Sequence, residues 1–321
     1  MSFPYPIWFD GSLVFPKETA SNPSSLATGG DPHQFIMHHG LHYGTGVFEG
    51  IRCYDTPKGP AVFRLEEHLQ RMSAGAQALG MEPLNIAQWV KATRDVLRAC
   101  GEKSAYIRPL QYYSTGGLGL DVHPLQTHCA LAAMPWRSHL GEAGEEKGVR
   151  LMTSTFRRNS SKALPPLKLC GGYVNSILAK RESFLAGYDE ALFVDDYGRV
   201  VEATGENVFL VFGNDVVAVR HPDALPGITR NTIMQLTGAT QREVTREELL
   251  EADEVFLTGT SAEVAPVVSL DQRAYGIGSV TREIQALYQN VVHGRSDLYG
   301  HWLTPVLEPK KKQVYLSQPA M

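Results

Sequence analysis

Between Trp136 and Val149 the chain runs through RSHLGEAGEEKG, a glycine-rich and charged stretch in which apolar residues recur at neither helical nor strand spacing. On both sides that periodicity is sustained, so the chain must build two cores rather than one. The expectation is a small domain over residues 1–136, a linker over 137–148 and a larger domain over 149–321. A length of 321 residues points the same way, since single cores stop growing near this size. Two units with a cleft between them suit a buried small ligand.

The first unit begins as sheet. Ile7 to Phe9 and Leu13 to Phe15 flank Asp10-Gly11, the signature of a two-residue hairpin. A strand ending Ala61-Val62-Phe63 leads into a helix whose Leu65, Leu69, Met72, Ala76 and Leu79 fall on one face. Arg64 stands at that junction. A second helix is predicted over about Ile86 to Cys100, then strands over Ser104 to Tyr113 and Thr127 to Met134. The second unit opens with a strand over Val149 to Thr155. A proline-rich approach to Lys168 follows, and then a helix on which Val174, Ile177, Leu178 and Leu185 share a face. Asp195-Asp196-Tyr197-Gly198 supplies turn chemistry for a hairpin between Ala191–Val194 and Val200–Ala203. Ser21 to Asp31 reads as an exposed loop, and Pro309 to Met321 as a loosely held tail.

Composition removes whole classes of function. A formal net charge of -4 leaves no basic excess to neutralise a nucleic-acid backbone or an anionic membrane. No stretch approaches the roughly 18 apolar residues of a membrane span, and MSFPYPIWFDGSLVF lacks the basic-then-apolar pattern of a signal peptide. Cys53, Cys100, Cys129 and Cys170 are spread singly, as expected of reduced thiols in the cytoplasm. His33, His38, His39 and His42 cluster without a carboxylate or cysteine at ligand spacing, so no metal is expected. Gly44-Thr45-Gly46 begins like a dinucleotide fingerprint, but the third position is Glu49 where glycine is required.

The informative stretch is Leu164-Pro165-Pro166-Leu167-Lys168-Leu169-Cys170-Gly171-Gly172-Tyr173. Apolar company makes a lysine amine a better nucleophile, the property a Schiff-base lysine needs. On spacing alone, a lysine whose stem lies on apolar surface and whose tip reaches water is the commoner case. Three further segments stand at strand ends or helix starts: VEATGEN from Val201, LPGITR from Leu225, and LTGTSAE from Leu257. Backbone N–H groups after Gly227 and Gly259 suit anionic oxygens.

In this order the segments resemble the fold-type-IV pyridoxal-phosphate enzymes, most closely the branched-chain amino-acid aminotransferases. The blocks carrying the resemblance span nearly the whole chain: IWFDG from Ile7, HYGTGVFEGIR from His42, VFR from Val62, YIRP from Tyr106, then the Lys168, Glu202, Gly227 and Gly259 segments. The resemblance implies an α+β fold of two domains, a small α/β domain and a larger pseudo-barrel α/β domain. It also implies pyridoxal 5'-phosphate as cofactor and at least a homodimer. Amino acids and 2-oxo acids would be its small-molecule partners.

Roles come from the resemblance residue by residue. Lys168 matches the lysine that carries the cofactor as a Schiff base and moves the substrate proton. Glu202, braced by Asn207, matches the carboxylate facing the pyridine nitrogen, and Tyr173 the donor to the phenolic oxygen. Arg64, with Gly227, Ile228, Thr229, Gly259 and Thr260, matches the phosphate site. Tyr106, Thr260, Ser261 and Ala262 match the groups around the α-carboxylate, Arg108 the receiver of glutamate's distal carboxylate, and Tyr43, Phe48 and Trp136 the apolar side-chain pocket. The implied reaction moves the amine of L-leucine, L-isoleucine or L-valine to 2-oxoglutarate in a ping-pong sequence. D-amino-acid aminotransferases, (R)-selective amine transaminases and aminodeoxychorismate lyases share Lys168 and Glu202. A fold kept without its chemistry is the reading from another class.

Overall fold

The structure, a computed structural model, describes residues 4–16, 36–135 and 147–307. The expected linker residues 137–146, the Ser21 to Asp31 loop, His33, Trp136 and the tail from Pro309 lie outside the described residues.

The opening hairpin joins β1 (Ile7–Phe9) to β2 (Ser12–Val14), with Trp8 opposite Leu13. Asp10 (φ 42°) and Gly11 (φ 98°) both take left-handed backbone, the geometry of a tight hairpin turn. The first sheet continues with β3 (Gly46–Phe48), β4 (Ile51–Tyr54), β5 (Ala61–Phe63), β6 (Ala105–Tyr113) and β7 (Thr127–Pro135). Strand β6 is its spine. It pairs along its length with β7, while on its other edge β3 takes one half and β4 the other, all antiparallel. Glu49-Gly50 is the step between those two short strands. Alternation along β6 sends Ile107 and Tyr113 into the core, and Tyr106 and Arg108 to the opposite face.

Short helix α1 (His39–Tyr43) precedes β3, and the long helices α2 (Leu65–Ala78) and α3 (Ile86–Cys100) cover the core face. Leu65, Leu69, Met72 and Ala76 of α2 pack there with Trp89, Val96 and Leu97 of α3, and the Trp8 and Trp89 rings lie 5.2 Å apart. Asn85 caps α3, its side chain accepting from the Gln88 amide.

The second sheet holds β8 (Val149–Thr153), β9 (Glu190–Val194), β10 (Val200–Ala203), β11 (Asn207–Phe212), β12 (Asp215–Val219), β13 (Thr240–Arg242), β14 (Glu254–Gly259), β15 (Glu263–Leu270) and β16 (Arg273–Ala274). Its order is β10-β9-β8-β15-β14-β11-β12-β13, with β16 beside β15. The β8–β9, β8–β15 and β12–β13 pairs are parallel and the rest antiparallel. The sheet curls until its ends meet: the Val200 amide donates to Val244 O, just past β13, and the Arg246 amide to Gly198 O. Four helices surround it: α4 (Tyr173–Leu185), α5 (Ile228–Thr237), α6 (Arg246–Glu251) and α7 (Ser279–Val292).

Two features depart from the local pattern. The face of α4 bearing Val174, Ile177, Leu178 and Leu185 points outward, and small residues, Ser176, Ala179 and Ser183, face the sheet. The last strand, β17 (Leu303–Pro305), returns to pair with β5 of the first sheet. Between the sheets, Tyr54 and Phe63 share one apolar cluster with Phe209, Phe256, Ile284 and Tyr288.

Candidate active site

Lys168 is held by the first sheet. Leu169 makes an isolated bridge to Val47, and the Phe48 amide donates to Lys168 O at 3.2 Å. The approach is close because glycine meets glycine. A Cβ on Gly44, whose φ is +64°, would come within 2.6 Å of Gly171 Cα. From there the amine reaches into a cavity of about 320 Å³, where Nζ donates to the Tyr173 hydroxyl at 2.5 Å. The Phe48 and Tyr173 rings each stand 4.8 Å from Nζ.

Glu202, on β10, forms another wall of that cavity. Its carboxylate accepts from Arg158 Nε at 2.8 Å, from the Leu225 amide at 3.0 Å and from Asn207 Nδ2 at 3.3 Å. Burial raises its pKa, and the Arg158 guanidinium opposes that rise. Beside it, Glu206 accepts from the Gly205 amide, whereas buried Glu190 takes Lys180 at 2.6 Å and the Thr204 hydroxyl. Burial first, and then the Glu190 charge, pushes Glu206 up to about 8.

The N-terminus of α5 forms the third side. Gly227 precedes the helix with extended backbone and no side-chain cap, so the first amides stay open to an anion at the cavity. Arg71 completes this side. Its Nε and Nη2 donate to the two oxygens of Glu49 at 2.6 and 2.8 Å, and Nη1 to Pro226 O at 2.8 Å. Glu49 is fully buried and also accepts from His68 Nδ1 at 2.8 Å. Burial raises a carboxyl pKa, yet the Arg71 charge and the hydrogen bond with His68 hold Glu49 well below the usual range.

Arg64 requires a correction: its side chain does not line the cavity. Its left-handed backbone (φ 48°) starts α2, and its guanidinium is spent on Glu67, Ile228 O, Asn231 and Thr232. It braces the α5 helix from behind. Sequence reasoning passed over Arg71 because it sits in a regular amphipathic helix, where an arginine on the polar side is unremarked. Its only signal was a position two turns past Arg64, facing the Glu49 step.

The fourth side draws on both sheets. The turn between β14 and β15 brings Gly259, Thr260 and Ser261, while β6 brings Tyr106 and Arg108. Arg108 Nη2 donates to the Tyr106 hydroxyl at 3.2 Å, and its guanidinium carbon lies 4.9 Å from the Phe48 ring centroid. Ala262 is buried beneath the turn, outside the lining. Tyr43 is also off the lining, half exposed, its hydroxyl donating to Leu118 O at 2.8 Å. His39 braces a loop through Thr45 and Gly119 O, so it has structural partners.

The cavity tests well for an anionic, aromatic cofactor and a carboxylate substrate. Ser261 Oγ and Arg108 Nε are buried there without a hydrogen-bond partner, which costs stability unless something accepts from them. An amine, a buried carboxylate and a helix start with a guanidinium meet within a single site. That combination defines an enzyme working through a lysine amine on a phosphate-bearing cofactor.

Comparison with known proteins agrees. Residues 46–270 match the family described as amino-transferase class IV, and the chain belongs to that family. It is therefore an aminotransferase. It is 36% identical over 310 residues to the branched-chain-amino-acid aminotransferase of Pseudomonas aeruginosa, covering 94% of this chain and 97% of that protein. The Escherichia coli K12 enzyme of the same name is 38% identical over 316 residues, at the same coverage. A solved T.th. branched-chain amino acid aminotransferase with pyridoxamine 5'-phosphate superposes with a TM-score of 0.86 at 39% identity, over 96% of this chain and 100% of that one. The same protein is also known complexed with N-(5'-phosphopyridoxyl)-L-glutamate. No helix among the described residues is long and apolar enough to cross a membrane.

Proposed function

We propose that the chain is a pyridoxal-phosphate-dependent transaminase that takes the amino group of L-leucine, L-isoleucine or L-valine and passes it to 2-oxoglutarate. The observation carrying this reading is the meeting of Lys168, Glu202 and the α5 N-terminus around one cavity. When bound, the cofactor supplies an electron sink for the charge left on the substrate α-carbon.

Lys168 would hold the cofactor covalently through Nζ, and the same amine, when free, is the group placed to take and return the substrate α-proton. Tyr173, within hydrogen-bond reach of Nζ, keeps that amine oriented. Glu202 keeps a proton on the ring nitrogen by offering an anion in a buried place, and Asn207 and Arg158 hold the carboxylate still. Arg71, the first amides of α5 and the Thr260 hydroxyl hold the phosphate, a guanidinium and helix start suited to a dianion. Two of the five guanidinium N–H donors of Arg71 remain after its bonds to Glu49 and Pro226.

Substrate recognition is divided. Tyr106, Thr260 and Ser261 take the α-carboxylate. Phe48 offers an apolar wall to an aliphatic side chain, and Arg108 over that ring receives the distal carboxylate of glutamate in the other half-reaction. One pocket thus serves two substrates in alternation, the arrangement a ping-pong sequence requires. The outward apolar face of α4, with Ile177 63% exposed and also lining the cavity, supports a homodimer that covers this side. Four cysteines without a disulfide suit the cytoplasm.

The visible spectrum of the purified protein tests the reading. A long-wavelength band should be lost on adding excess L-leucine and be absent from Lys168→Ala. A band that ignores L-leucine but responds to D-alanine or an (R)-amine would keep the cofactor and overturn the substrate.

A further inference from the structure

Glu263 opens β15 directly after the turn that carries Thr260 and Ser261, and its backbone is left-handed (φ 55°). That conformation is disfavoured for any residue with a Cβ, and glycine is its usual occupant. Here the side chain supplies the reason for a glutamate. Oε1 accepts from the Tyr54 hydroxyl at 2.7 Å and lies 3.4 Å from Arg52 Nη1, while Oε2 accepts from Gln289 Nε2. The residue is 5% exposed.

Arg52 and Tyr54 belong to β4 of the first sheet, and Arg52 pairs directly with Tyr106 across the β4–β6 ladder. A short path from Ser261 to Tyr106 therefore runs through Ala262, Glu263 and Arg52. On the function proposed above, Ser261 and Tyr106 grip the same α-carboxylate from opposite sheets, and this inference rests on that reading. On its own sheet Tyr106 is closely seated, because a Cβ on Gly50 would fall 2.0 Å from its hydroxyl. Small displacements of gripping groups weaken binding steeply.

We propose that Glu263 is a positioning residue that fixes the distance between the two halves of the α-carboxylate grip, and so sets affinity for carboxylate-bearing substrates. It touches neither substrate nor cofactor. Its bond to Arg52 ties the turn to the strand beside Tyr106. The Tyr54 hydroxyl leads elsewhere, through Tyr288 to Thr229 at the start of α5, so an informative substitution must leave Tyr54 an acceptor.

Glu263→Gln does so, keeping an amide oxygen for Tyr54 while removing the charge opposite Arg52. In the holoenzyme, KM for L-leucine and the inhibition constant of 4-methylvalerate should rise together by about tenfold, with kcat within about threefold of wild type. Cofactor retention and its absorbance band should be unchanged. Glu263→Gly, which relaxes the backbone but also removes the acceptor from Tyr54, should raise KM at least as far and also loosen the cofactor through α5, a difference that separates the two links. The proposal is overturned if both constants stay within about twofold of wild type. It is equally overturned if cofactor retention falls in step with KM in Glu263→Gln, or if both variants lose the cofactor, because the carboxylate would then serve only the fold. Failure of the underlying function looks different: wild-type protein would respond to no α-amino acid and bind no 4-methylvalerate.

Discussion

Arg64 and Arg71 stand two turns apart on the same helix with opposite duties, and substitution separates them. Arg71→Ala should weaken retention of the phosphate-bearing cofactor by about 10- to 100-fold, read by dialysis and absorbance. Arg64→Ala should instead lower stability by about 2 kcal/mol in denaturant unfolding, since it removes the guanidinium that donates to Ile228 O, Asn231 and Thr232 from a buried position. Glu202→Gln should retain cofactor yet slow turnover roughly 100-fold, since an amide keeps the shape but not the charge facing the ring nitrogen. Glu206 makes a pH prediction. Its folded pKa of about 8 lies above that of an unfolded glutamate, so its contribution to stability is whole below the unfolded value and is lost as pH rises through 8. The melting temperature of Glu206→Gln should therefore gain on wild type between pH 5 and pH 9, and a constant offset across that range would refute the assignment. Lys168, Glu202 and the α5 start were legible because each lies in a short ordered motif. Arg71, Arg158 and Glu263 were not, because each acts through a partner far along the chain: Glu49, Glu202 and Arg52.

At the scale of elements, the long amphipathic helices were readable from three-and-four spacing, and α2 and α3 fall where that spacing puts them. Helix α4 shows where the rule ends. Its apolar stripe is real, but small residues let its other side press close to β9, and periodicity cannot say which side meets the sheet. The β3–β4 step is a second instance, since strands of three and four residues carry too little pattern to announce themselves. Yet Phe48, Glu49 and Gly50 there reach Lys168, Arg71 and Tyr106 in turn. The seat of the lysine loop depends equally on Gly44. Gly44→Ala would drive a methyl group into Gly171 from a left-handed backbone and should cost about 1–3 kcal/mol. Chemical unfolding, with the cofactor band as a second probe, measures it.

For the whole molecule, the outward stripe of α4 is the surface on which the proposed homodimer would form. Phe184 is 76% exposed, and large exposed apolar groups on one stripe mark a surface that another protein covers. Phe184→Asp should shift sedimentation towards the monomer, and an unchanged profile would place the subunit contact on another face. The two sheets draw mainly on different halves of the sequence. That the second half lends a strand to the first sheet was not legible, since a three-residue strand carries no mark of a partner some 240 residues earlier.

That exchange has an outcome during synthesis. Strand β5 stays a bare edge, with its amides and carbonyls unpaired on one side, until residues 303–305 have left the ribosome. Some 240 residues are made between β5 and the strand that completes its pairing. A nascent chain stalled short of Leu303 would carry that open edge into the crowded cell, and there another unfinished copy could take the place reserved for the strand still to come.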